Sequence, residues 1–217
     1  MVAGLTEAEI LDIRTVSRIL QKPTLGRGKL ESHYRPRSRH LIVSHEKSVV
    51  GLERREIRLV EYDLSWPKQY RRHADSIARA LGEALIRIEH VGSTSVPGLA
   101  AKPIIDIVVE VENSSDESSY LPALAPAGYQ LRMREPEWHE HRMLRTVEFD
   151  IHVHVFSNGC SEVSRMLAFR DRLRESAQDR QRYEEVKREL AARDWPTMQD
   201  YTDAKSGVVA SILSRRP

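Results

Sequence analysis

The chain has 217 residues and a mass of 25.0 kDa, room for one substantial domain and a small extension. Hydrophobic residues make up 40% and charged residues 30%, the balance of a soluble globular protein, and no run approaches the roughly 18 apolar residues a membrane span needs. Cys160 is the sole cysteine, which excludes an intrachain disulfide and a cysteine metal cage, and a net charge of +2 is too small to argue for nucleic-acid binding by the whole chain.

Met1 to Leu20 carries Glu7, Glu9 and Asp12 among its apolar residues, unlike a secretory signal, so a cytoplasmic location is expected. Leu5, Ile10, Ile13, Val16 and Leu20 fit one side of a short helix. Between Lys22 and Lys47 seven basic residues (Lys22, Arg27, Lys29, Arg35, Arg37, Arg39, Lys47) outnumber two acids (Glu31, Glu46), with Pro23, Gly26, Gly28 and Pro36 among them. Residues 1–55 therefore read as an N-terminal extension with a basic linker, either solvated or a patch for an acidic ligand or nucleic acid. Residues 56–217 form the main domain.

Ile57 to Tyr62 reads as a short strand, with Ser65 as a helix N-cap and Pro67 in the first turn. Tyr70, Ala74, Ile77 and Leu81 fall on one face of that helix, and Gly82 ends it. Leu85 to Val91 alternates as a strand. In Ile104 to Val111, residues Ile105, Ile107, Val109 and Val111 share one face and Asp106, Val108 and Glu110 the other, because strand side chains alternate. Phe149 to Phe156 repeats the design, with Asp150, His152 and His154 opposite Phe149, Ile151, Val153 and Val155. The segment Glu137 to Arg142, with His139 and His141, reads as a loop. Val163, Met166, Phe169 and Leu173 mark a helix, as do Tyr183, Val186 and Leu190; Trp195-Pro196 breaks the pattern, and Thr197 caps a last helix with Tyr201, Ala204, Val208 and Ile212 on one face. The expected fold class is α/β (α+β), a mixed sheet with helices on one face and a C-terminal helical bundle.

The segment His90-Val91-Gly92-Ser93-Thr94-Ser95-Val96-Pro97-Gly98-Leu99 follows a strand. Gly92 permits close backbone approach, Ser93 and Thr94 supply hydroxyls, and a helix starting near Ser93 would turn its free N–H groups and positive dipole end toward a phosphate. Asp106 lies fourteen positions after Gly92, so a donor turn stands beside a carboxylate able to hold a divalent ion. An ordinary helix cap would use the same residues. Lys102, Arg142 and Arg145 are candidate phosphate contacts, or surface charges. Tyr201 and Lys205 share a helical face, as a base-stacking ring with a phosphate lysine or as core with a solvated lysine. His152 and His154 are either ligands or hydrogen-bonding groups in a polar cleft.

The run from His90 through Ala100-Ala101-Lys102-Pro103-Ile104-Ile105 to Asp106 resembles the signature of the GrpB family, which is placed with the nucleotidyltransferases. Tyr62-Asp63-Leu64-Ser65-Trp66-Pro67, His152-Val153-His154-Val155, Phe169-Arg170-Asp171-Arg172-Leu173-Arg174 and Tyr201-Thr202-Asp203-Ala204-Lys205 are similar to the family's other motifs, and the resemblance covers residues 58 to 215. A related domain occurs fused to dephospho-CoA kinase in some bacteria, with a suggested folding-accessory role. The resemblance implies that Gly92 and Ser93 form the superfamily's Gly-Ser turn, binding the phosphates of an NTP such as ATP; Thr94, Lys102, Arg142, Tyr201 and Lys205 are the further candidate nucleotide contacts offered by the residues themselves. The resemblance also implies a metal, Mg²⁺ or Mn²⁺, on Asp106. The superfamily's second acid stands two residues later, where this chain has Val108, so Glu110, Asp150, His152 and His154 are the candidates to complete the metal set, and Asp106 and Glu110 the candidate catalytic residues. Histidines would favour Mn²⁺ or Zn²⁺ over the harder Mg²⁺. Two readings follow: metal-dependent nucleotidyl transfer to a small-molecule acceptor, or a non-catalytic nucleotide-binding or folding-accessory module acting on a partner protein. Nucleic acid enters only through the basic extension.

Overall fold

Seven consecutive residues of the Ile105–Val111 strand are buried, so both of its faces are covered and it must lie inside a sheet. In the computed structural model, which describes residues 57–148, 150–195 and 198–215, it does. The N-terminal extension, Phe149 and the Pro196-Thr197 helix start lie outside the described residues. Helix α1 (Trp66–Leu81) leads to strand β1 (Arg87–Val91), a single 3-10 turn at Ser93–Ser95, and β2 (Ile105–Val111). A short helix α2 (Leu121–Leu124), strands β3 (Gln130–Glu135), β4 (His141–Arg145) and β5 (Ile151–Ser157), and helices α3 (Ser161–Glu175), α4 (Ala177–Ala191) and α5 (Met198–Leu213) follow.

The sheet order is β1-β2-β5-β4-β3, with β2 and β5 parallel and every other pair antiparallel. The two alternating segments thus become neighbouring strands of one mixed sheet, as their shared pattern predicts. Asp106 pairs with His152 and Val108 with His154, so the polar rows fall on one face. The other face carries Ile105, Ile107, Val109, Ile151, Val153 and Val155, packed on Trp66, Ile77 and Leu81 of α1 and on Leu124. Trp66, Ala74, Ile77 and Leu81 form the buried stripe of α1, and full burial of a side chain such as Ile77 contributes about 2 kcal/mol.

Helices α3, α4 and α5 form the C-terminal bundle around Leu173, Tyr183, Val208, Val209 and Ile212, with Val96 and Leu99 of the turn region inserted among them. Val163 and Met166 of α3 also settle on Val91, Val108 and Phe156. The bundle therefore covers part of the polar face and converts it into an enclosed site.

Three local expectations differ. Residues 57–62 form no strand but one bridge, Val60 to Ala101. Ser65 makes no side-chain cap; its hydroxyl accepts from Gln69 Nε2 at 2.9 Å, and its N–H donates to Asp63 Oδ1 at 2.7 Å. The loop assigned to 137–142 is shorter, because His141 and Arg142 already belong to β4.

Candidate functional site

Asp106 emerges on the polar face of β2 with His152 and His154 beside it on β5. Its Oδ1 lies 3.5 Å from His152 Nδ1 and 3.5 Å from His154 Nε2, and the three ligand atoms all lie within 4.8 Å of one another. All three residues are buried. Burial by itself would push the Asp106 carboxyl up, but the two histidines outweigh it and hold that carboxyl well below the usual range. Burial holds His154 below its ordinary pKa, which keeps the ring neutral at pH 7.

A chain of bonds fixes which His154 nitrogen carries the proton. Glu135 Oε2 lies 2.9 Å from His141 Nδ1, and His141 Nε2 lies 3.0 Å from His154 Nδ1. An ionised carboxylate only accepts, so His141 Nδ1 donates to it; with His141 neutral, its Nε2 accepts and His154 donates from Nδ1, whereas a protonated His141 would reverse that bond. The lone pair of His154 Nε2 is left facing the Asp106 carboxylate. Two electron-rich atoms at 3.5 Å repel unless a cation lies between them. The outer partners Glu135 and His141 thus orient His154 as a metal ligand is oriented. His141 is stacked on His154 and Phe156, with centroids at 5.2 and 4.8 Å, so the relay is rigid.

The donor atoms fit a small divalent ion. Neither ring nitrogen of His152 has a hydrogen-bond partner among the described residues, and an unsatisfied buried polar atom costs about 1–3 kcal/mol. Two donors held about 2.1 Å from one ion at a tetrahedral angle stand about 3.4 Å apart. The observed 3.5 Å separations match that spacing.

The turn before β2 is shaped around Asp106. Gly92 has φ 70° and ψ −178°, a conformation nearly reserved for glycine, and a Cβ there would overlap Asp106 Oδ2 and lie 3.1 Å from its Cβ and Cγ. Thr94 Oγ1 donates to Ile104 O at 2.9 Å and accepts from His90 Nε2 at 3.2 Å, so this hydroxyl ties the turn to β2. His90, kept neutral by burial that lowers its pKa to about 4, suits that role. Ser93 Oγ accepts from Lys187 Nζ at 3.1 Å, and the same ammonium donates to Ala100 O at 2.5 Å and lies 4.9 Å from the Tyr183 ring centroid. Burial lowers the pKa of Lys187 to about 7, and that of Lys205 to about 7 as well. Lys205 lies 4.6 Å and Lys102 6.0 Å from the buried Tyr201 ring centroid. Three lysines are therefore gathered between the turn and the C-terminal bundle.

A family model described as GrpB protein matches residues 56–215. The chain belongs to the GrpB family. A UPF0157 protein of Halalkalibacterium halodurans is 53% identical over 159 residues, which covers 73% of this chain and 82% of that one. The crystal structure of a conserved protein GrpB from Enterococcus faecalis superposes with a TM-score of 0.59 at 31% identity, over 71% of this chain and 98% of that chain. A dephospho-CoA kinase of Mycolicibacterium paratuberculosis is 37% identical over 89 residues, 40% of this chain and 22% of that protein. The poly(U) polymerase Cid1 superposes at a TM-score of 0.41 with 11% identity.

Within this GrpB chain the expected site residues do not all converge. Glu110 has the parity of Asp106 but lies four residues along the strand, about 13 Å away, with Val108 between them. Its carboxylate takes Arg87 Nε at 3.1 Å and the Gly159 N–H at 3.0 Å, which removes it from the metal set and from a catalytic role there. Asp150 precedes β5 and accepts from Thr146 Oγ1 at 3.0 Å; its charge is felt by His73 and Tyr129 behind the sheet, so it too stands apart. Arg142 pairs with Val155, on the face away from Asp106, and its Nε is bound to Glu117 at 2.6 Å. It is a structural ion pair rather than a phosphate contact. Thr94 is tied up as described, and a single 3-10 turn at Ser93–Ser95 has no helix dipole to offer an anion. Conversely, nothing in the sequence singles out Glu135 or Lys187, and His141 stands out there only as a loop histidine. Lys187 looks like a surface lysine in a charged helix, although it stands one helical turn after Tyr183 on a stripe that becomes buried.

Proposed function

We propose that this GrpB protein holds a divalent cation on Asp106, His152 and His154, binds the phosphates of a nucleoside triphosphate along Gly92 and Ser93, and transfers a nucleotidyl group to a small acceptor. The observation that carries the reading is the buried triad of ligand atoms within 4.8 Å, with two donors held at 3.5 Å from the same carboxylate oxygen. Two imidazoles and one carboxylate form a mixed N/O set that suits Zn²⁺ or Mn²⁺ better than Mg²⁺. A bound ion would supply Lewis-acid polarisation and neutralise phosphate charge. The protein's own residues do the rest. Gly92 lets the backbone pass against Asp106, Ser93 offers a hydroxyl at the turn, and Lys187 places positive charge 3.1 Å from that hydroxyl. Lys102 and Lys205 place two more lysines beside the buried Tyr201 ring, at 6.0 and 4.6 Å from its centroid.

A second reading, nucleotide binding without chemistry, is favoured by one feature. Val108, at the superfamily's second acid, is packed on Val91, Phe156, Val163 and Met166. A titration of the full chain with Zn²⁺, Mn²⁺ and Mg²⁺, then with ATP, separates them. The transfer reading expects metal-dependent ATP binding that Asp106→Asn weakens by about 1–3 kcal/mol, and pyrophosphate release on addition of an acceptor. Metal-dependent binding with no pyrophosphate release across a panel of acceptors would establish the module instead. ATP binding indifferent to metal and to Asp106→Asn would remove the transfer reading and the Asp106 site, leaving nucleotide binding elsewhere on the chain.

A further inference from the structure

Two of the sequence motifs, Tyr62 to Pro67 and Phe169 to Arg174, contribute nothing to the triad of Asp106, His152 and His154. They meet elsewhere. Strand β1 is an edge of the sheet, and α1 behind it and α3 in front of it leave a cleft of about 760 Å³ along that edge. Tyr62, Tyr70, Arg71, Arg170, Arg174 and Arg180 line it. Two outward carbonyls of the edge strand are already capped. Arg170 Nη1 donates to His90 O at 3.0 Å, and Tyr70 Oη donates to Ile88 O at 3.5 Å.

The charge of this cleft is unbalanced. Four guanidinium groups line the cleft against one lining carboxylate, Glu89, with Asp171 beside it; both acids hold Arg170, at 2.7 Å each, and Asp171 Oδ1 also lies 3.6 Å from Arg174 Nη1. Arg174 gives both Nε and Nη2 to the neutral Ser95 carbonyl, at 3.0 and 2.8 Å. Arg180 likewise donates to the last-turn carbonyls of α3, Leu173 O at 3.0 Å and Arg174 O at 3.3 Å. Carbonyls orient a guanidinium without cancelling its charge, so Arg180 stands as a fixed cation, Arg174 shares Asp171 with Arg170 and is only partly offset, and Arg71 adds an exposed cation on the opposite wall. Aromatic surface lies between them. Tyr70 is stacked on His90 with centroids at 4.6 Å and planes at 8°, and Tyr62 packs edge-on to Trp66. The volume is that of a small-molecule site.

We propose that this cleft is a second binding site, for a small phosphate ester with a flat apolar body, separate from the Asp106 centre. Planar guanidinium groups on two walls match the oxygens of a phosphate, and the tyrosines match the body. The site touches the Gly92 turn through Arg174, whose Nε and Nη2 both donate to Ser95 O, while Ser95 Oγ donates to Gly92 O at 2.6 Å. The proposal does not rest on the metal reading.

The test is calorimetry on the full chain in buffer containing EDTA, with phenyl phosphate and inorganic phosphate as probes. Phenyl phosphate is expected to saturate a single site and to bind more tightly than inorganic phosphate. Arg71→Ala and Arg174→Gln should each weaken it about tenfold, the loss of one charge-assisted partner. Arg132→Ala, which alters an arginine bonded to Gln130 outside the cleft, and Asp106→Asn should leave the affinity unchanged. Circular dichroism confirms that each variant is folded, and Arg71, being exposed, tests the cleft even where Arg174→Gln disturbs α3. No saturable binding of phenyl phosphate, an equal loss in Arg132→Ala, or loss in Asp106→Asn would overturn the proposal.

Discussion

Replacing His141 by phenylalanine isolates the relay from the ligands. The new ring keeps the shape that stacks on Phe156 at 4.8 Å and on His154 at 5.2 Å, but it has neither nitrogen. His154 Nδ1 then loses its acceptor at 3.0 Å, and Glu135 loses its donor at 2.9 Å. Two effects follow. A buried N–H without an acceptor costs about 1–3 kcal/mol, so the metal-free protein should lose roughly that much stability, less what the more apolar ring regains. His154 also becomes free to carry its proton on Nε2, the nitrogen that faces Asp106, and a ligand in the wrong tautomer must shift its proton before it binds. Loss of an outer partner typically weakens a metal site 10- to 100-fold, or about 1.4–2.8 kcal/mol. Glu135→Gln should cost less, because the amide oxygen still accepts from His141. The assay is competition for Zn²⁺ against a chromophoric chelator, with thermal unfolding in EDTA to separate stability from affinity. If His141→Phe binds Zn²⁺ as the unaltered chain does while His152→Ala does not, the relay has no part in orienting His154, and the lone-pair reasoning fails.

Three further outcomes are expected. Gly92→Ala combines a backbone conformation nearly closed to other residues with overlap on Asp106, and should lower stability by about 2–5 kcal/mol in thermal or urea unfolding. Lys187 carries a folded-state pKa of about 7 against an ordinary 10.5, so above pH 7 the unfolded chain binds the extra proton; this destabilising contribution is full below pH 7 and is relieved as pH rises toward 10.5, and Lys187→Gln should flatten that rise in a pH series of unfolding curves. Val108→Asp puts a second acid two residues after Asp106, but among Val91, Phe156, Val163 and Met166; loss of folding stability by several kcal/mol, rather than a gain in Mg²⁺ affinity, is the expected result of a parallel unfolding and metal titration.

Strand alternation made much of this site legible. It put Asp106 and the histidines on one face and their apolar partners on the other, and adjacency of β2 and β5 follows from both strands having two covered faces. Alternation fixes the face but not the position along the strand, which is why Glu110 was grouped with Asp106. It also ignores what covers the face, so Val108 read as a missing acid although its neighbours are supplied by α3, more than fifty residues later. Strands β3 and β4 were missed for another reason. Gln130–Glu135 does alternate, with Leu131 and Met133 between Gln130, Arg132 and Arg134, but its outer face is exposed and charged, so its apolar signal is half as dense as that of β2. Arg142 was misassigned for lack of that register, since only pairing with β5 tells which face its guanidinium takes.

Under the proposed metal reading, the relay would let a site with only one carboxylate favour a cation. In a purely polar cleft, His152 and His154 would each choose the tautomer that donates to Asp106, and the carboxylate would be satisfied without any ion. The Glu135–His141 pair removes that choice for His154 by taking its Nδ1–H, at 3.0 Å from His141 Nε2. His152 has no such partner among the described residues, and both its nitrogens are buried. With His141 neutral, His154 would be held in the form that can ligate a metal, and an ion bound at the triad would satisfy His152. Burial makes both conditions costly to leave unmet, because the two imidazoles are shielded from solvent and only the edge of Asp106 is accessible. The polar face of this sheet therefore stores, in His152 and in the lone pair of His154, a fixed demand for positive charge at one point, and Lys187, held by Ser93 and Ala100, is bonded elsewhere.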